Sequence, residues 1–299
     1  MYELRQVGER TYYIDNPVRM GIFVLEGNDV CLIDSGNDKS AGKMILRHLE
    51  AQGWNLRVIL NTHSHADHVG GNAFLQEKTG CKIYAVRTEP SLICMPDLEP
   101  SFLYGGCADK ALRGKFLQAQ PSVCGSLTDE ILPAGITMQR LDGHAASLAA
   151  FQTADGVWFL GDAVISEQTL EKYHVSYLFN PAHFLKSLDM LETLEGTLFI
   201  PSHAEPQTDI RSLVEINRSK VLEIRQFLLT CCQAPLEHDT ILKAVFDHYG
   251  LKMNRVQMAM IGATIRSYLG NLCDEGLLDV VFQDNRMFWK ATLASAVSS

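Results

Sequence analysis

The chain has 299 residues, 46% of them hydrophobic and 20% charged, with a net charge of −9. That length supports one large core or two domains, and the composition excludes a disordered or collagen-like chain. The charge is uneven: residues 1–210 carry 16 Lys and Arg against 26 Asp and Glu, net −10, and residues 211–299 carry 10 against 9, so a nonspecific grip on phosphate backbones is disfavoured in the first part and unsupported in the second.

Short strands open the chain: R-T-Y-Y-I-D, G-I-F-V-L-E-G and D-V-C-L-I-D-S-G, the last two joined by the turn pair Gly27-Asn28. A helix is expected over residues 39–53, with Met44, Ile45, Leu46 and Leu49 on one buried face and Gly53 as its stop. The strand L-R-V-I-L-N-T follows, then a helix over 68–80 and the strand C-K-I-Y-A-V. This alternation predicts sheet packed against helices. From Pro90 to Val123 the pattern lapses into Gly, Pro and Cys, the signature of a cap over a site. Extended runs then resume at I-T-M-Q-R-L-D-G-H, L-A-A-F-Q-T-A-D-G-V-W-F-L-G-D and G-T-L-F-I-P-S-H, each ending at a His or an Asp. Beyond Ile210 a bridging helix is expected over 211–234, then helical stretches at 237–249, 254–262 and 263–275 and a hairpin around Gln283-Asp284-Asn285. Such an order resembles a winged helix-turn-helix module over 235–299.

The first ten residues lack the apolar core and small-residue cleavage site of a signal peptide, and no run of about 18 apolar residues occurs. The eight cysteines form no C-x-x-C pair and are expected as free thiols. A cytoplasmic protein without membrane contact is the expectation.

The chemistry concentrates in N-T-H-S-H-A-D-H-V-G-G, residues 61–71, which follows the apolar run Val58-Ile59-Leu60. Three of the ten histidines fall within six residues. His63 and His65 alternate on an extended turn while Asp67 and His68 sit at the first turn of the next helix, so all four side chains converge on one volume. Nitrogen ligands with a carboxylate suit zinc, with iron or manganese as alternatives.

T-H-S-H-A-D-H-V-G-G resembles the H-x-H-x-D-H signature of the metallo-β-lactamase superfamily. His144 in L-D-G-H resembles the family's third histidine of the first site, Asp162 in F-L-G-D its bridging aspartate, His203 in I-P-S-H the last histidine of its second site, and Asp34 in L-I-D-S-G its supporting aspartate. The resemblance spans about residues 10–205 and implies an αββα sandwich, an α/β (α+β) fold, ahead of the helical winged-helix-like module. It implies His63, His65 and His144 on one divalent ion, Asp67, His68 and His203 on a second, and Asp162 between them. Asp34 would orient a ligand and share its proton. Two such ions about 3.5–4 Å apart share and acidify a water and polarise the oxygen under attack. One departure stands out: where many members carry G-H-T-P-G-S, this chain has G-H-A-A-S-L, with no Pro or Gly to set the turn.

Hydrolysis of an ester, thioester, lactone, amide or phosphodiester is the expected reaction, with Asp67 and Asp34 as the acidic participants and a small molecule as the favoured substrate. Two alternatives stay open: an endoribonuclease or other nucleic-acid protein, and a persulfide dioxygenase using one iron. The stretch 263–276 offers only Arg266 as a cation, against several needed for DNA reading, so packing, capping or a homodimer contact is favoured for the terminal module. Tyr173, His174, Tyr177 and His183 follow the Gly161-Asp162 turn, where they could line the pocket but are expected chiefly as packing residues, and no function is assigned to His48, His238 or His248.

Overall fold

The computed structural model describes residues 2–292. Strands β1 (Glu3–Gln6), β2 (Thr11–Asp15), β3 (Met20–Val24) and β4 (Asp29–Ile33) form an antiparallel meander. Helix α1 (Lys39–Gln52) then carries the chain back to β5 (Asn55–Leu60), parallel to β4. Asp38 caps α1 by accepting from the N–H of Ser40 and Ala41, and Gly53 ends it. Two short helices, α2 (Ala66–Val69) and α3 (Asn72–Thr79), stand where one was expected, and lead to β6 (Lys82–Ala85). The segment expected to be irregular holds α4 (Glu89–Cys94) and α5 (Leu98–Tyr104) before β7 (Cys124–Ser126) completes a seven-stranded sheet in chain order.

The second sheet contains β8 (Ile136–Arg140), β9 (Ala149–Thr153), β10 (Val157–Gly161) and, after α6 (Glu167–Tyr173) and α7 (Pro181–Leu191), the parallel strand β11 (Leu198–Pro201). The long run ending at Asp162 is thus a hairpin of β9 and β10, since Ala154-Asp155-Gly156 is a turn. Period-2 alternation sorts side chains between layers. Phe23, Cys31, Ile33 and Leu60 of the first sheet meet Phe151, Val157 and Phe159 of the second in the central core. Ile22, Leu32 and Ile59 face the other way, onto Ile45 and Leu49 of α1 and Leu75 of α3. Trp158 and Leu160 face the opposite outer layer. The result is the expected αββα sandwich.

That outer layer is α7 together with α8 (Arg211–Cys231), α9 (His238–His248) and α10 (Arg255–Asp274), closed by the hairpin β12 (Leu278–Gln283) and β13 (Arg286–Ala291). One apolar core runs from Leu141 through Val214 and Val221 to Leu278. The stretches expected as two helices, 254–262 and 263–275, are the single helix α10: Ala259, Ile261, Ile265, Leu269 and Leu272 keep one buried stripe running through Gly262. Ala259 also packs on Leu103, Leu112 and Leu117, so α10 buttresses the segment that contains α5. All eight cysteines are free thiols, and among the described residues no helix is long and apolar enough to cross a membrane.

Candidate metal centre

The strand ends deliver the chemistry to one rim. β5 runs into His63 and His65, α2 carries Asp67 and His68, β10 ends beside Asp162, and β11 ends beside His203. His144 follows Gly143, whose φ of +128° and contact with the Phe184 backbone leave no room for a Cβ. Gly161, at φ +56°, lies against Thr62, where a Cβ would approach to 2.8 Å. The connection between the two sheets' ligands therefore tolerates no side chain at that point.

His65 Nδ1 lies 2.9 Å from His63 Nε2 and 3.0 Å from His144 Nε2, so three nitrogens meet at one point. Asp67 Oδ2 is 3.1 Å from His203 Nε2 and 3.9 Å from His68 Nε2, forming a second grouping. Asp162 reaches both, with Oδ1 3.2 Å from His68 Nε2 and Oδ2 3.4 and 3.5 Å from the Nε2 atoms of His144 and His203. Three groupings here have ligand atoms close enough to hold a metal ion: His63, His65 and His144; His63, His68 and Asp162; and Asp67, His68 and His203. The residues fit such an ion. His68 Nε2 and Asp162 Oδ1 are fully buried and, though 3.2 Å apart, make no well-formed hydrogen bond to each other or to another group, an arrangement that an ion bound by both would satisfy.

Behind the cluster sits Asp34, buried at φ +59°, a strained conformation for a residue with a side chain. Its Oδ2 accepts from His68 Nδ1–H and from the Thr62 hydroxyl, each at 2.8 Å, and Oδ1 accepts from the Thr62 N–H. The Thr62 oxygen in turn lies 3.0 Å from His63 Nδ1. One carboxylate thus orients His68 directly and His63 through Thr62, leaving both Nε2 atoms aimed at the cluster.

The electrostatics divide the cluster. Burial holds the pKa of His63 and His144 below the ordinary value and that of His65 down to about 3, with neighbouring imidazoles adding to the effect. At His68 burial acts in the same sense but is outweighed by Asp162, Asp67 and Asp34, so its pKa stands well above the ordinary value. His203 is raised likewise, burial being outweighed by Asp162 and Asp67. Burial opposes ionisation of Asp162 and Asp67 too, yet the facing histidines hold both carboxyls well below the usual range.

Sequence reasoning brings all seven candidate ligands and Asp34 to this place but misses two neighbours, Glu99 and Glu89. Glu99 of α5 puts Oε1 3.5 Å from His65 Nε2, and burial, with Glu89 and Asp67, pushes its pKa well up. Glu89 of α4 is wholly buried, accepting from the N–H of Ser64 and of Ser147 at 2.9 Å each. Tyr177, for which the sequence favours packing over lining the pocket, lays its ring 5.4 Å from that of His65 and 6.0 Å from that of His144. His174 instead stacks on Tyr249, and His183 is exposed on α7.

The family model for the metallo-β-lactamase superfamily matches residues 20–203, an interval holding every one of these ligands. The chain belongs to the metallo-β-lactamase superfamily. Within it, a hydroxyacylglutathione hydrolase of Methylococcus capsulatus is 43% identical over 67 residues, which is 20% of this chain and 26% of that one. The chain spans only about a quarter of the length of that relative. Among solved structures, a β-lactamase domain protein from Burkholderia ambifaria has a TM-score of 0.75 at 17% identity, covering 97% of this chain and 94% of its own. A metallo-β-lactamase family protein from Thermus thermophilus has a TM-score of 0.69 at 21% identity, covering 95% and 99%. These likenesses are of fold, and coverage this wide takes in the C-terminal helices.

Proposed function

We propose that the protein is a dinuclear metal-dependent hydrolase of a small ester, thioester or lactone. The observation that carries this reading is Asp162, whose two oxygens lie within 3.5 Å of imidazoles from both ligand groupings. His63, His65 and His144 would hold one divalent ion, Asp67, His68 and His203 the other, with Asp162 shared; zinc suits the donor set, and iron or manganese would also fit. Two ions so held supply an acidified water and a Lewis acid for the carbonyl oxygen under attack.

The chain's own residues supply the rest. Asp67, 39% exposed, stands at the open side with an ionised carboxylate able to accept a hydrogen bond from an incoming water. Asp34 fixes the rings of His68 and His63. Tyr177 walls the first grouping, and Phe102, stacked on Phe179 with ring centroids 5.5 Å apart, adds apolar surface near it, because the Phe179 N–H is bonded to the His144 carbonyl. An acyl group suits such a wall better than a polynucleotide does.

The C-terminal module supports a capping role over nucleic-acid binding. α10 is packed against α5, α7, α8, α9 and β12. The cations around it are largely paired: Arg225 with Glu275, Arg255 with Asp109, Arg286 with Glu237, and Lys243 with Asp247. Few counterions would be released by so neutralised a surface.

Mass spectrometry of metals in protein purified without added metal, alongside a panel of thioesters, lactones and a persulfide under air, tests the reading. Close to two metal equivalents with thioester or lactone hydrolysis is expected. One iron per chain with oxygen consumption on the persulfide would overturn it.

A further inference from the structure

The loop after His144 carries A-A-S-L and lacks the Pro and Gly that would stiffen its turn, yet the Nε2 atom of His144 meets His65 Nδ1 at 3.0 Å. Something else must hold it. β6 ends at Ala85, whose carbonyl accepts from Leu127, and Arg87 at φ +50° turns the chain so that Thr88 and Glu89 fold back toward the cluster. Glu89 has no exposed surface, and its two oxygens serve different loops. Oε2 accepts from the Ser64 N–H, between His63 and His65, and Oε1 accepts from the Ser147 N–H, three residues past His144. The Thr88 hydroxyl steadies the arrangement, lying 3.3 Å from Oε1 and 3.4 Å from the Ser147 hydroxyl.

We infer that Glu89 is a positioning residue for the first metal site, its buried carboxylate tying the His63–His65 turn to the His144 loop so that the three imidazoles converge. A carboxylate suits the task because it alone offers acceptors on both sides without a donor facing either N–H. Charge-assisted hydrogen bonds to backbone amides are also stronger than neutral ones, which favours a buried carboxylate that makes two of them. The inference rests on the reading of this cluster as a metal centre but adds a residue that binds no metal itself.

The test uses the full-length protein, stripped of metal and titrated with Co(II), the visible spectrum and chelator competition reporting each site. The parent protein should take up two equivalents; failure there would contradict the metal-centre reading, not the role of Glu89. Glu89→Gln keeps size and shape but turns one acceptor into a donor facing an N–H. It should weaken one of the two equivalents by about 10–100-fold and alter its spectrum, while the other is retained. Glu89→Asp, too short to reach both loops, should fall between parent and Gln. Thr153→Val removes a buried hydroxyl bonded to Thr11 beside the far hairpin turn; it should lower thermal stability without changing either spectrum. A folded Glu89→Gln with parental affinity and spectrum at both sites would overturn the inference. Should the Glu89 variants not fold, hydrogen exchange on the metal-free parent decides: Ser64 and Ser147 amides exchanging as slowly as those of β5 support it, and rapid exchange overturns it.

Discussion

In the half of the centre built from His63, His65 and His144, burial lowers the pKa of the imidazoles, whereas in the half built from Asp67, His68 and His203 the carboxylates outweigh burial and raise the pKa of His68 and His203. The first half is closed: His63 has no exposure, and its loops are tied from behind by Glu89 and Thr62. The second is more open at two of its three residues, with 29% of the His203 side chain and 39% of the Asp67 side chain exposed while His68 is buried, and His203 lines a cleft of about 440 Å³ together with Arg5, Asp15, Arg19 and Glu205. Arg19 holds His203 by its neighbours, its N–H bonding the Ser202 carbonyl and its guanidinium the Ala204 carbonyl. The contrast teaches that one cluster can hold two unlike environments: a buried group of nitrogens whose affinity for protons is lowered, and an ion-paired group whose affinity for protons is raised, so that a cation would compete with protons there more than at the first.

Asp162→Ala removes what the halves share and should have the largest effect. Metal content should fall at both sites and turnover should drop on the order of a thousandfold or more; retention of one fully bound metal with near-parental turnover would break the picture of a shared ligand. Asp67→Ala should be more selective. One equivalent should remain at the closed half, turnover should fall by about a hundredfold, and the melting temperature should change by only about 2–4 °C, since a partly exposed residue on a one-turn helix carries little of the core.

A subtler contrast concerns pH in the metal-free state. His65 has a depressed folded pKa, so its contribution to stability is present above the unfolded value near 6.5 and is lost as pH falls from there toward about 3. His203 has a raised folded pKa, so its contribution is full below about 6.5 and is lost as pH rises through the folded value. The stability gap between the parent and His65→Gln should therefore shrink on acidification, and that between the parent and His203→Gln should shrink on alkalinisation. Melting temperatures across pH 5–9 would show it, with differences of roughly 2–4 °C. Parallel trends for the two variants would remove the distinction between the halves. The smallest effect should come from Thr62→Val, which cuts the link from Asp34 to His63 and should cost about tenfold in affinity at the closed half alone.

The seven candidate ligands are legible in the sequence because four share one short turn and the other three terminate apolar runs, so period and spacing both mark them. Period also marks the strands, while their division into two facing sheets comes only from the family resemblance. Glu89 and Glu99 are not legible: each stands alone in a stretch without periodicity, and only the turn at Arg87 and the packing of α5 on α10 bring them to the cluster. Tyr177 is visible as a candidate but not distinguishable from Tyr173, His174 and His183, since its position against His65 depends on where α6 and α7 leave the chain between them. The division of α10 at Gly262 misjudges a glycine that tertiary packing absorbs within a helix, where local propensity alone favours a break.

The most direct test of two unlike sites sharing one carboxylate is calorimetric titration of the metal-free protein with Zn(II) in buffers of different ionisation enthalpy, run on the parent and on Asp67→Ala. The parent should bind two equivalents with net proton release, since the carboxylates raise the pKa of His68 and His203, while Asp67→Ala should bind one with markedly smaller release, because burial lowers the pKa of His63, His65 and His144. A single equivalent in the parent, or equal proton release per metal in both proteins, would contradict the account.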